Sequence, residues 1–150
     1  MRGSGAIVLA GVLAFSALRA TAQEAVRIEA QSVATPAVVD FHPKNDNWLL
    51  VGDGADRVRL LDFTDPARPF VRLTLPASAP TRFLPDGRIL TGGRDGMLRV
   101  WTDAGREAAP PLKVSENPIY GFAISPSGQM IAVQDSTRTL RLVSLDSRLL

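Results

Sequence analysis

Beyond residue 36 the chain alternates short apolar runs with clusters of Gly, Pro, Asp and Asn, and one strand-turn-strand phrase returns three times. The first copy is Phe41-His42-Pro43, then Trp48-Leu49-Leu50-Val51-Gly52, then Val58-Arg59-Leu60-Leu61-Asp62. The second is Phe83-Leu84-Pro85-Asp86-Gly87, then Ile89-Leu90-Thr91-Gly92, then Leu98-Arg99-Val100-Trp101. The third is Ile124-Ser125-Pro126-Ser127-Gly128, then Met130-Ile131-Ala132-Val133, then Leu140-Arg141-Leu142-Val143. Pro43, Pro85 and Pro126 lie 42 and 41 residues apart, and Val58, Leu98 and Leu140 lie 40 and 42 apart. Short apolar runs broken by turn residues every roughly eight to twelve positions predict strands, and no long stretch of this region repeats its apolar residues at helical spacing.

A period of about 40–45 residues carrying several strands is that of a propeller blade. The predicted class is all-β: a partial β-propeller of about three four-stranded antiparallel blades, at about 36–75, 79–114 and 118–150, the last incomplete, after an N-terminal signal helix. In each copy the first strand runs into a proline, which has no N–H to donate to a sheet ladder. Asp86-Gly87 and Ser127-Gly128 supply the positive φ of a tight hairpin, whereas Lys44-Asn45-Asp46-Asn47 predicts a looser polar loop. Further hairpins are predicted at Asp53-Gly54-Ala55-Asp56, Arg94-Asp95-Gly96 and Asp135-Ser136-Thr137-Arg138, with outer strands at 70–75 and around 109–114. Equivalence of the copies predicts two sets of core positions, Phe41, Phe83 and Ile124, and Leu60, Val100 and Leu142.

The order Phe/Ile-x-Pro-x-Gly, an apolar strand leading to Gly-Gly-x-Asp-Gly, then Leu-Arg-Val-Trp resembles the WD-repeat β-propeller family, with degenerate blades of a bacterial exported type. Phe83 to Trp101 is the best copy, and the resemblance runs from about residue 36 to 150. It departs from the family in two ways. The Gly-His pair before the first strand is missing, and the closing Trp-Asp reads Leu61-Asp62, Trp101-Thr102 and Val143-Ser144. The resemblance implies a buried polar network in each blade, for which Thr91, Asp95 and Trp101 stand in the middle copy without the family's His.

The amino-terminal 22 residues have the layout of a secretory signal peptide. Arg2 gives a positive start, Ala6 to Leu18 an apolar core, and Ala20-Thr21-Ala22 a small-x-small site with cleavage expected before Gln23. The apolar run is too short to span a membrane, so no stable insertion is expected after cleavage, and the product is expected in the periplasm or outside the cell. The domains are thus a signal peptide over 1–22 and a propeller segment over 23–150. Charge changes meaning once the leader is removed. Of 17 basic residues two, Arg2 and Arg19, lie in it, while all 15 acidic residues lie beyond it, so the mature chain is formally neutral. Its basic residues form no run, which argues against nucleic acid as a partner. With no cysteine there is no disulfide framework.

Candidate chemistry is sparse. Arg59, Arg99 and Arg141 occupy equivalent places and are expected to pack their stems between blades while the guanidinium reaches solvent or a turn Asp. Asp53-Gly54-Ala55-Asp56 and Gly92-Gly93-Arg94-Asp95-Gly96 have neither EF-hand nor P-loop spacing. A single histidine, His42, leaves neither a zinc set nor a Ser-His-Asp triad identifiable. No catalytic, cofactor-binding or metal residue is therefore assigned, and no cofactor is expected. The expected role is a protein-interaction scaffold binding another protein through propeller loops, within the N-terminal part of a longer protein. The alternative is the propeller portion of a periplasmic enzyme, or the regulatory module of a catalytic domain lying beyond residue 150.

Overall fold

The computed structural model describes residues 38–52, 56–66, 68–77 and 80–145. The signal helix, the cleavage site before Gln23, a strand expected at 26–30 and the start of a further strand at 149–150 lie outside the described residues. Within them every regular element is a strand: β1 (Val38–His42), β2 (Asn45–Gly52), β3 (Val58–Asp62), β4 (Phe70–Leu75), β5 (Thr81–Phe83), β6 (Ile89–Gly92), β7 (Met97–Trp101), β8 (Leu112–Lys113), β9 (Ile119–Ile124), β10 (Met130–Asp135) and β11 (Leu140–Ser144).

They form three antiparallel sheets, β1-β2-β3-β4, β5-β6-β7-β8 and β9-β10-β11, each a meander in chain order. Register confirms the repeat at the level of single residues. Phe41 pairs with Leu49 and Leu49 with Leu61. Phe83 pairs with Ile89 and Ile89 with Trp101. Ile124 pairs with Ile131 and Ile131 with Val143. Since side chains alternate between the faces of a strand, these rows mark one face of each sheet. The opposite face carries Leu50 with Leu60, Leu90 with Val100, and Ala132 with Leu142.

Two cores follow from these faces. Leu50, Val58, Leu60 and Leu75 of the first sheet pack on Phe83, Ile89 and Trp101 of the middle sheet. Leu90, Leu98 and Val100 of the middle sheet pack on Ile119, Ile131 and Val133 of the third. Each fully buried aliphatic side chain contributes roughly 1.5–3 kcal/mol, so the joints between sheets dominate the stability of the array.

The turns follow the sequence closely at glycine. Gly87 and Gly128 close the proline hairpins at φ of 101° and 75°, and Gly96 closes the next hairpin of the middle sheet at 73°. The first copy differs from expectation: only Pro43 and Lys44 form the turn, and Asn45, Asp46 and Asn47 belong to β2. The backbone N–H of Lys44 donates to Nδ1 of His42, and the ladder shifts register between Phe41 and His42, which tightens the loop into a bulged hairpin.

Two of the expected core residues are not core. Phe41 and Leu142 hold the predicted registers, yet both are exposed, whereas their counterparts Phe83, Leu60 and Val100 are buried. The reason is position in the array. Phe41 lies at the end of the first sheet's outward row, whose inner members Leu49 and Leu61 are buried, and Leu142 lies on the outward face of the third sheet.

Candidate functional site

Antiparallel strands place successive turns at alternate ends of a sheet, so the array has two rims. One rim carries the proline turns, β1–β2, β5–β6 and β9–β10. There Phe41, Phe83 and Ile124 meet Pro43, Pro85 and Pro126 around a cavity of about 300 Å³. The other rim carries the β2–β3, β6–β7 and β10–β11 turns, which are rich in Asp and Arg.

Two of the three recurring arginines, Arg99 and Arg141, are held by a turn Asp. Arg99 reaches Asp95 through Nη2 to Oδ2 at 2.6 Å and Nη1 to Oδ1 at 3.2 Å, and its Nε lies 3.6 Å from Glu107. This bidentate pairing lowers the Asp95 pKa and raises that of Arg99. Arg141 donates from Nη1 to Asp135 Oδ2 at 2.5 Å. Both arginines are half-buried, with the guanidinium on a turn Asp. They act as braces of their own hairpins and do not line a shared anion site.

A cleft of about 490 Å³ opens along the seam between the first and middle sheets, lined among others by Asp56, Arg94, Asp95, Arg99, Trp101 and Glu107. Its wall is polar and apolar in about equal parts, and its charged side chains are of both signs. Arg94 spans the opening to Asp56 at 3.7 Å, and both side chains are well exposed. An exposed pair of this kind is worth about 0–1 kcal/mol and is readily exchanged for contacts with a partner.

Each sheet also has its own buried polar group, and no two are alike. In the middle sheet Trp101 Nε1 donates to Thr91 Oγ1 at 2.9 Å, both residues being buried. Asp95, the third member suggested by the resemblance, is exposed and bonds to Arg99 instead, so the network reduces to a Trp–Thr pair. In the first sheet Trp48 Nε1 donates to buried Asp62 at 2.9 Å, the Thr64 hydroxyl and backbone N–H donate to it at 2.6 and 2.9 Å, and Arg72 Nη1 lies 3.6 Å from it. These bonds, the Thr64 hydroxyl foremost, hold the Asp62 carboxyl below its ordinary pKa. Arg72 lies over the Trp48 ring, 4.3 Å from its centroid.

The third sheet centres on buried Asp135. It accepts from the Thr137 hydroxyl at 2.6 Å, from Arg141, from the Ser115 hydroxyl at 2.7 Å and from the backbone N–H groups of Thr137 and Thr139 at 3.0 and 3.1 Å. The donors, led by Thr137, push its carboxyl well below the usual carboxylate range. Sequence reading marks Asp135 as a turn residue only. Ser115 lies in the connection before β9, and nothing local in the sequence sets it apart; Asp62 carries a signal, since it fills the Asp of the closing Trp-Asp position.

His42 is a packing residue. Its ring meets Trp48 edge-on at 5.1 Å and Phe83 at 4.8 Å, bridging the first and middle sheets. Its Nε2 fills the space a Cβ on Gly87 would need, 2.6 Å away. Burial and nearby Lys44 lower its pKa, against a smaller opposing effect of Asp103. Among the described residues no group of three or more His, Cys, Asp or Glu side chains converges as a metal site, and every buried side-chain nitrogen and oxygen has a hydrogen-bond partner.

The geometry can be set beside known proteins. The family model described as WD domain, G-beta repeat matches residues 78–102, the stretch containing β5, β6 and β7. Among solved structures, the crystal structure of the WD40 beta propeller domain of Doa1 is similar with a TM-score of 0.55 at 19% sequence identity. The likeness covers 69% of this chain and 35% of that chain, so the present sequence spans about a third of its neighbour. A search of curated proteins found no match. Three meandering sheets stacked face to face, with a WD repeat in the middle one, give this chain the fold of part of a WD-repeat β-propeller.

Proposed function

We propose that the chain is an exported propeller segment of the WD-repeat type that serves as a protein-interaction scaffold, with the Asp/Arg rim as its binding face. WD40 propellers generally work in this way, and the observation that carries the reading here is the mixed-charge cleft on that rim. Its exposed Arg94 and Asp56 are held to each other only weakly. Protein interfaces favour Arg among charged groups, and a weak exposed pair can be traded for a partner's charge with little loss. The scaffold is complete once further blades join these three, because closed propellers typically have four to eight. Export rests on the signal-peptide layout of residues 1–22, with Gln23 as the mature amino terminus.

The experiment is site-specific photocrosslinking in the producing cell, with the crosslinker at Arg94 on one rim and at Lys44 on the other. A discrete protein adduct at Arg94, absent at Lys44 and lost on Asp56→Arg, is the expected result. Adducts of equal strength at both rims, or none at either, overturn it. Mass spectrometry of the exported product checks the leader, and retention of Arg2 overturns that part of the reading.

A further inference from the structure

The cleft between the first and middle sheets carries a charge imbalance that its own arginines do not settle. Its charged lining residues are three acids, Asp56, Asp95 and Glu107, and two arginines, Arg94 and Arg99. Arg99 is pinned. Its side chain is 27% exposed, donates twice to Asp95 and keeps Nε 3.6 Å from Glu107. Arg94 is loose. Its side chain is 78% exposed, and its Nε stops 3.7 Å from Asp56, itself 63% exposed. Asp56 and Glu107 thus meet their arginines beyond hydrogen-bond range, and an ionised carboxylate accepts several hydrogen bonds, so both retain acceptor capacity. With Arg94 turned to solvent, three negative charges at the cleft face one positive charge.

The cleft also has room and apolar wall for more than a counter-ion. It encloses about 490 Å³, and Pro76, Ala77 and Trp101 line it, offering surface along which an alkyl stem can lie. Register sets Asp56 in its place. Val58, Leu98 and Leu140 pair with Gly52, Gly92 and Gln134, so Asp56, Gly96 and Arg138 each stand two residues before equivalent positions. All three have positive φ, at 59°, 73° and 68°. Asp is one of the few non-glycine residues that tolerate this region, and glycine would make the same turn without a carboxylate.

Taking the Asp/Arg rim as the binding face, we infer that the cleft receives a basic side chain of the partner, lysine or arginine. The incoming cation displaces Arg94 from Asp56 and lays its alkyl stem along Pro76, Ala77 and Trp101. Arg94 is then the chain's own occupant of the site and a competitor for it. The exchange gives up only a weak exposed pair, and it leaves the Arg99 brace untouched. A partner's carboxylate meets the opposite balance, since Arg94 alone would attract it against Asp56, Asp95 and Glu107.

NMR titration of the isotopically labelled full-length protein with short peptides tests the occupant directly. The probes are acetyl-Gly-Arg-Gly-amide, its lysine and glutamate counterparts, and a citrulline peptide that keeps the shape of arginine without its charge. The signal is the Trp101 indole N–H, identified by its loss in Trp101→Phe. The arginine and lysine peptides are expected to shift it saturably, and the tighter of the two tells which residue the cleft prefers. Arg94→Ala is expected to tighten their binding at least ~3-fold, by removing the competitor. Adding Asp56→Gly, which suits the positive φ, is expected to reverse that gain. An equal shift with the citrulline peptide, weaker binding of the basic peptides to Arg94→Ala, or no shift with any peptide overturns the inference. So does a shift with the glutamate peptide that Arg94→Ala abolishes, which would leave the rim a binding face for a partner of the other charge. Basic peptides that bind as expected, without a crosslink at Arg94 in the cell, uphold the cleft's chemistry and remove the scaffold reading instead.

Discussion

Arg141 and Asp135 lie on adjoining strands of the third sheet, six residues apart, and meet at 2.5 Å where the carboxylate is fully buried. Asp95 and Arg99 of the middle sheet, four residues apart, make a similar pair at the surface, where the Met97 backbone N–H also donates to Asp95 at 3.2 Å. The Asp–Arg pair thus does two different jobs, from turn positions that the register does not make equivalent. In the middle sheet it trims a hairpin, whereas in the third it anchors the β10–β11 turn and ties it to Ser115 in the connection before β9.

Asp135→Asn is expected to lower the melting temperature by at least ~5 °C, because it leaves Arg141 and several buried donors poorly matched. Asp95→Asn is expected to shift it by less than half as much, since that pair is exposed. The wild-type chain should also lose stability in acid. The Asp135 carboxyl is depressed below its ordinary value of 3.8, so its contribution is present above that pH and is lost as pH falls below it. Thermal scans of wild type and variant from pH 7 to pH 2.5 check both points; parallel curves would remove Asp135 from the account.

His42 gives a second, milder pH dependence. Its pKa is lowered from 6.5, so the neutral ring is favoured in the folded state, where Nδ1 must stay unprotonated to accept from Lys44. Stability from this source is complete above pH 6.5 and declines as pH falls from there toward the folded-state value. His42→Asn keeps an acceptor for the Lys44 N–H and does not titrate. Denaturant melts between pH 5 and 7.5 should slope for wild type and run flat for the variant.

Gly96 and Gly121 make a controlled pair. A Cβ at Gly96 would stand 1.9 Å from the Ser115 carbonyl oxygen at a φ of 73°, while one at Gly121 would meet nothing within 4 Å. Gly96→Ala is expected to cost at least ~2 kcal/mol, from strain in the left-handed region plus displacement of the backbone after β8. Gly121→Ala should change stability by no more than about 0.5 kcal/mol. Equilibrium unfolding in urea separates the two outcomes.

Trp101→Phe keeps most of the buried ring and removes the N–H that satisfies Thr91. The expected cost is about 1–3 kcal/mol, because the Thr91 hydroxyl is then left buried without its donor. Adding Thr91→Val should recover part of it by removing the orphaned oxygen. A double-mutant cycle with no coupling would show that the bond contributes nothing beyond ring burial.

The sequence by itself determined the unit: its period, its strands and the chemistry of its tight turns. Pro85-Asp86-Gly87 and Pro126-Ser127-Gly128 carry backbone constraints that hold wherever they occur, since a missing N–H and a positive φ are local matters. The pairings Leu50–Leu60, Leu90–Val100 and Ala132–Leu142 follow from alternation and from loops of similar length. Tertiary structure decided which members of each set are buried. Phe41 and Phe83 have the same register and opposite exposure, as do Leu60 and Leu142, because burial depends on a neighbouring sheet that no local pattern encodes. It also decided the partners of the polar residues. Asp95 and Asp135 both follow an apolar strand into a hairpin, but only Asp135 receives a hydroxyl from a connecting segment 20 residues away. That bond depends on how the third sheet docks on the middle one, through contacts far apart in the chain.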